Sequence, residues 1–396
     1  MISTAVPSKR VDQEGRDGTG WRRAALTALV VWIVAQVVHF VVAELSPLHP
    51  GAPLPDAGIV QAWYQWDSLW FTRIAEHGYA AAGDKAAAFF PLYPLLMAGL
   101  DAVLPGGAFQ AGLVVANLAF LAALVLLHRL VATEADRGTA DRTLWYLIAF
   151  PTGFFLAAAY NTALFLALTV GAVYALRNRR WWLAGLLGAL ATATRSAGLL
   201  LVIPFAYEYL RTHGRRPQLN ALAVALVPAG LAGYMVYTWQ ALGDPLAFLH
   251  AQAHWSRHLD WPWMGLWREV ATIAAQPRLF NDTGAHDLID LAAVVLAGAM
   301  LVLSFVGPWK LRRDQYALPV YGTALLLFMI MFPNTGDSPP YPLQSAARLV
   351  LEIFPAFLVL GRIGGARPVV DRAYLVIAVG AQAIMLDHFL HGGWVA

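Results

Sequence analysis

The 396-residue chain contains no cysteine, which excludes a disulfide framework, a thiolate nucleophile and any Cys-ligated metal site. Charge is scarce too: 13% of residues are Asp, Glu, Lys or Arg, roughly half of the ~25% usual in soluble domains. A soluble enzyme, a disordered scaffold and a nucleic-acid binder are therefore all disfavoured. Lysine is nearly missing, with 3 Lys against 24 Arg, and the basic residues are scattered, so no nucleic-acid patch forms. There is no nucleotide-binding Gly-rich loop and no H-E-x-x-H metal motif. No repeat period is visible, which weighs against an inverted-repeat transporter.

Hydrophobic residues make up 59% of the chain, and the mean hydropathy is +0.56. Several apolar runs reach the ~20 residues a bilayer crossing takes, so the sequence predicts an all-α polytopic membrane protein. Residues 1–20 read as a disordered polar tail, and 21–396 as one embedded domain. Trp21–Glu44 form the first span, and Arg10, Arg16, Arg22 and Arg23 before it put the N-terminus in the cytoplasm. Residues 88–104 are apolar but short and interrupted by Pro91 and Pro94, a poor span or a re-entrant element. Arginine clusters at 129–142, 177–180 and 211–216 all face inside if 143–176 and 181–210 are hairpins of two short helices, with outward tips at 150–162 and 193–198. The alternative, one long span in each stretch, puts one cluster outside. The hairpin reading gives 11 or 12 membrane segments and three outer loops, 45–87, 243–287 and 334–346. Seven of the 15 Trp lie in the first two of these loops, where headgroup level suits them.

In the first loop, AWYQWDSLWFTRIAEHGY (62–79) has helical period. Trp63, Trp66, Trp70, Ile74 and His77 would share one face, an aromatic stripe suited to the interface plane. The tryptophans read as interfacial anchors rather than sugar platforms. Asp67 falls on the flank of that stripe. A carboxylate held at headgroup height can take the proton of an attacking hydroxyl, help worth about 10²–10⁴-fold. The plainer reading, a solvated or turn-capping acid, stands beside it with equal weight.

WDSLWFTRIAEHGY (66–79) followed by FFPLYP (89–94) resembles the start of the GPI mannosyltransferase 2 (PIG-V) family. FPTGFFLAAAYNTALFL (150–166) resembles its second motif, without the acidic residue that usually follows the Tyr. SPPYPLQSAARLVLEIFPAF (338–357) resembles the C-terminal motif of the prokaryotic branch. The resemblance implies a GT-C glycosyltransferase fold and transfer of mannose from a polyprenyl-phosphate donor to an acceptor hydroxyl on the outer face of a bacterial plasma membrane. It also implies inversion at the sugar carbon and matches Asp67 to the catalytic acid. It does not supply the acceptor, which can be glycan, lipid or protein.

The remaining candidates follow from residue chemistry. Arg195, the lone charge among the apolar residues of its hairpin tip, is a functional candidate by default and suits a lipid phosphate. Arg348 is a second phosphate candidate, with Glu352 at i+4 as a plain ion-pair partner. Tyr160 and Asn161 can bond sugar hydroxyls or simply satisfy the tip's backbone. In HAQAHWSRHLDWPWMGLWREV (250–270), His254 and Trp255 are donor-side candidates. His250, His254 and His258 would share a helix face, so a divalent cation is left open although no cofactor is assigned. His77, Asp84 and Gln252 are candidates for positioning the acceptor or the loop. A transporter or flippase of a lipid-linked sugar would share these features without transferase chemistry.

Overall fold

The computed structural model describes residues 18–46, 58–275, 282–336 and 341–395. Most of the expected 1–20 tail, and parts of all three loops, lie outside the described residues, whereas 18–20 already belong to the first helix. Successive helices are α1 Gly18–Leu45, α2 Asp67–Ala82, α3 Leu92–Asp101, α4 Ala108–Glu134, α5 Arg137–Ala149, α6 Thr162–Arg177, α7 Trp181–Thr192 and α8 Val202–His213. They continue with α9 Ala229–Leu242, α10 Ala247–His254, α11 Pro262–Ala275, α12 Asp282–Phe305, α13 Ala317–Ile330, α14 Phe354–Ala366 and α15 Pro368–Leu390. Among the described residues there is no extended strand, only one isolated bridge between Arg257 and Asn334.

The protein is integral to the membrane. Helices α1, α4 and α15 and the His286–Phe305 part of α12 are long and apolar enough to cross a bilayer, and Leu219–Leu226 with α9 makes an apolar pair bent by 42°, the geometry of a broken span or a re-entrant loop. Exposed apolar side chains such as Val30, Phe40, Val376 and Ile377 cover α1 and α15, as a surface facing hydrocarbon requires. By contrast α3, α6, α7, α13 and α14 have only 10 to 16 residues. At 1.5 Å per residue each is shorter than the ~30 Å hydrocarbon core. Their ends therefore break inside the membrane's depth, where irregular backbone persists only if it is buried or lines a cavity.

The two stretches read as hairpins are helix pairs, α5/α6 around residues 150–161 and α7/α8 around 193–201. At the other end of these pairs a polar network joins three basic clusters. Arg177 donates to Glu134 through Nη2 at 2.9 Å and to Glu208 through Nη1 at 2.7 Å, and Arg211 donates to Glu208 at 2.7 Å. Asp136 starts α5, accepting the Thr139 N–H at 2.9 Å, as a helix N-cap does. Residues 92–101, within the short stretch 88–104, form α3, which packs on α4.

Close crossings depend on glycine. A Cβ on Gly230 would lie 1.9 Å from the Ala189 carbonyl oxygen, so α9 can meet α7 only with hydrogen there; at Gly233, one turn on, a Cβ would meet nothing within 4 Å. Gly230→Ala is expected to cost about 1–3 kcal/mol by overpacking, whereas Gly233→Ala is expected to gain about 0.5–1 kcal/mol from helix propensity. Melting in detergent checks both. Equal effects of the two substitutions would contradict the crossing.

Candidate active site

Asp67 is the first residue of α2, where an acid complements the helix N-terminus. The residue before it, Trp66, has φ +52°, a strained conformation for a bulky side chain that costs on the order of 1–3 kcal/mol. Tertiary contacts hold it there: the indole N–H donates to the Gly393 carbonyl at 3.0 Å, and its ring meets Trp394 edge-on at 4.8 Å. The Asp67 backbone N–H donates to Tyr160 Oη at 3.2 Å, and that hydroxyl donates to the Gln65 carbonyl at 3.3 Å. Tyr160 thus fixes the start of α2 from beneath.

The Asp67 carboxylate forms an ion pair with Arg348. The Arg348 guanidinium lies over the rings of Tyr160 and Phe155, 5.0 and 5.5 Å from their centroids. Arg195 stands at the break between α7 and the turn Ser196–Leu201, pairs with Glu352 and lies 5.8 Å from the Phe165 ring. The Asn161 amide donates to the Thr194 carbonyl at 3.1 Å, tying the two hairpin tips together.

A third guanidinium completes the polar end. Arg257 donates to the Gln344 carbonyl at 3.0 Å, and among the described residues no carboxylate is within ion-pair distance of it. Burial, with the charges of Arg348 and Arg195, pushes Arg257 down to about 10, which still leaves it a cation at neutral pH. Asp67, Arg195, Arg257, Arg348 and Glu352 all line one cavity of about 360 Å³. Among the described residues, three cations against two carboxylates leave the cavity with one uncompensated positive charge. The same cavity is lined by an apolar stretch of α13 and its end, Leu325, Phe328, Met329 and Phe332, and by Ile353. Trp255 closes one side, edge-on to Trp70 and Phe89 at 5.7 and 5.9 Å, with Lys85 Nζ 5.1 Å from its ring.

Of the residues picked from sequence, Asp67, Arg195, Arg348, Asn161, Gln252 and Trp255 line this cavity. Tyr160 lies buried beneath it. His254 and Asp84 are exposed and do not line it, and His77 points to solvent beside Glu76 at 3.7 Å.

Three local expectations need correction. The aromatic stripe is broken at Trp66, so Trp63 packs inward against Phe154 and Phe389 while Trp70 lines up with Phe89. The Arg348–Glu352 pair does not form, because the helical turn Ala346–Val350 ends before Glu352, which pairs with Arg195 instead. The three histidines do not share a face: α10 stops at His254, Ser256 has φ +55°, and His250 turns to Asp244 at 2.7 Å. Among the described residues no group of three or more His, Asp or Glu is arranged to hold a metal ion.

Arg257, Gln344 and Trp394 went unpicked. Arg257 has nothing in its local sequence to separate it from its neighbours Arg268 and His258. Its place depends on the Arg257–Asn334 bridge, a contact between distant loops.

A family model described as Mannosyltransferase (PIG-V) matches residues 56–213. Residues 56–213 carry the PIG-V pattern. GPI alpha-1,6-mannosyltransferase 2 of Mus musculus is 36% identical over 154 residues, 36% of this chain and 31% of the relative. GPI mannosyltransferase 2 of Aspergillus fumigatus is 29% identical over 187 residues, 42% of this chain and 36% of the relative. The chain thus spans about a third of the length of the curated relatives it matches. The fold is of the GT-C type: ArnT from Cupriavidus metallidurans, solved bound to undecaprenyl phosphate, superposes with a TM-score of 0.53 over 93% of this chain and 76% of that one. At 11% identity that likeness is one of fold alone. The PIG-V stretch supplies Asp67, Asn161 and Arg195 to the cavity, whereas Arg257, Arg348 and Glu352 come from beyond it.

Proposed function

We propose that the protein is a membrane glycosyltransferase that moves mannose from a polyprenyl-phosphate donor to an acceptor hydroxyl, with the cavity facing outside. The observation that carries this reading is that Asp67 shares one cavity with three guanidinium groups and the apolar side chains of α13. The first isoprene units of the donor would lie along Phe328, Met329 and Phe332. Its phosphate would sit at the polar end, drawn by the uncompensated charge of Arg257.

The same geometry supports an order of events. Without substrate, Asp67 and Arg348 neutralise each other. A bound phosphate offers Arg348 a competing anion and frees the Asp67 carboxylate. The acceptor oxygen then bonds to the sugar's anomeric carbon as the bond from that carbon to the phosphate oxygen breaks. The acceptor proton goes to Asp67, and the leaving phosphate keeps the electron pair. Guanidiniums preorganised around the developing charge give the kind of stabilisation that often dominates catalysis. One displacement converts a β-linked phosphomannose into an α-mannoside. Arg257 and Arg348 are thus the donor-side residues, Arg195 lines the same cavity in its pair with Glu352, and Asn161, Trp255 and Gln252 stand at the sugar and acceptor side.

The test uses the full chain in nanodiscs with radiolabelled polyprenyl-phosphate mannose and a membrane extract. Transfer of label to a product that survives mild acid, which cleaves the donor, is the expected result. Label that stays on the donor but crosses the bilayer of proteoliposomes would replace the transferase reading with the flippase one.

A further inference from the structure

Arg348 is delivered to Asp67 by a segment whose backbone is held from outside the cavity. Leu343 gives its N–H to Glu269 Oε2 at 3.0 Å, and Ala347 gives its N–H to Asp290 Oδ1 at 2.6 Å. Glu269 is 1% exposed and Asp290 6%. They come from different elements, Glu269 from α11 in the second long loop and Asp290 from α12. Neither lines the cavity, and among the described residues neither is in an ion pair. Between the two held amides lies Ser345, left-handed at φ +69°, whose side chain caps nothing. Asp290 therefore takes the part of the missing N-cap of the Ala346–Val350 turn, accepting an N–H that would otherwise be orphaned. The Thr152 hydroxyl closes the hold by donating to the Ala347 carbonyl at 2.9 Å.

A buried acid without a cation is a costly way to accept one amide hydrogen, and two of them on one short segment mark that segment's position as important. We propose that Glu269 and Asp290 are positioning residues that keep Arg348 in register with Asp67, Glu269 making that register depend on the docking of α11. The proposal rests on the reading of Arg348 as a substrate-contacting group.

The Glu269 contact has an acid–base consequence. Burial, with the charge of Asp287 adding to it, pushes the Glu269 carboxyl up to about 8 against the opposing effect of the Leu343 N–H. The other ionisable groups of this region are Asp290, His286 and His388 on α12 and α15, with Arg257 beyond Asp290. A carboxyl raised in the folded state stabilises docking fully below its ordinary value, near 4.5, and loses that contribution as pH rises through about 8. The docking that holds Leu343 should therefore weaken from mildly acidic pH upward and level off above about pH 8.

Hydrogen exchange on the full chain in nanodiscs reads this directly. After correction for intrinsic rates, peptides covering 341–350 are expected to lose protection progressively between about pH 4.5 and pH 8 in the wild type and to change little above that, the interval between the ordinary and the raised Glu269 value. In Glu269→Gln, whose amide oxygen still accepts the N–H, they should stay protected. Undecaprenyl phosphate supplies the second readout. Glu269→Ala is expected to weaken its binding about 10- to 100-fold, the scale of a misplaced contact, and Glu269→Gln to restore it. In an Arg348→Ala background, Glu269→Ala should have no further effect. Exchange in Glu269→Gln that follows the wild-type pH course, or losses from Glu269→Ala and Arg348→Ala that simply add, would overturn the proposal. Failure of the wild type to bind undecaprenyl phosphate would instead remove the donor reading and leave the exchange result to decide the hold on Leu343.

Discussion

Asp67→Asn is expected to lower the turnover of sugar transfer about 10²–10⁴-fold, the contribution of a positioned general base, while leaving donor binding intact or tighter. Both halves follow from the ion pair. Asparagine matches aspartate in shape, so the strained start of α2, fixed by Tyr160 and by the Trp66–Gly393 bond, does not depend on the charge. What disappears is the proton acceptor and the anion that neutralises Arg348. An Arg348 without its partner makes the polar end more positive, which favours a phosphate. The expected signature is a collapsed kcat with an unchanged or lower KM for the donor. A purely structural Asp67 predicts donor binding weakened along with turnover. Turnover near that of the wild type would remove Asp67 as the base.

What could be read in the sequence divides along a physical line. The breaks between α5 and α6 and between α7 and α8 were legible because keeping all three arginine clusters on one side requires each apolar stretch to turn back on itself. Asp67 was legible because its surrounding motif is compact in sequence. The illegible features share one cause. Backbone breaks at Trp66, Ser256 and Ser345 put non-glycine residues at positive φ, and none carries the glycine or proline that usually announces such a turn. Helical period therefore seemed to continue through the tryptophan stripe and through the histidine series. Each break stands next to, or a few residues before, a cavity residue: Asp67, Arg257 and Arg348. Local strain there is sustained by long-range contacts, which pattern alone does not encode. Ion-pair choice failed for the same reason, since Glu352 lies past the end of its helical turn and meets Arg195 from another hairpin.

Arg257→Met is expected to weaken undecaprenyl phosphate binding about 10- to 150-fold, the value of a hydrogen bond to a charged group converted at tenfold per 1.4 kcal/mol. Arg195→Met is expected to act mainly on stability. The difference follows from charge compensation. Arg195 is already neutralised by Glu352, which is 3% exposed. Removing the arginine strands a buried carboxylate, a change that costs about 3–5 kcal/mol. Among the described residues the Arg257 side chain has only a carbonyl partner, at Gln344, so its removal strands no charge and takes away the cation best able to meet an incoming anion. Two measurements separate the roles: melting temperature in detergent, and titration with undecaprenyl phosphate at fixed ionic strength. Arg195→Met combined with Glu352→Gln should recover much of the lost stability, because no unpaired charge remains. Arg257→Met should melt near the wild type and bind poorly. If Arg257→Met binds as the wild type does while the stabilised Arg195 double variant does not, the phosphate belongs at Arg195, and the assignment of the cavity's polar end must be redrawn around the hairpin tips.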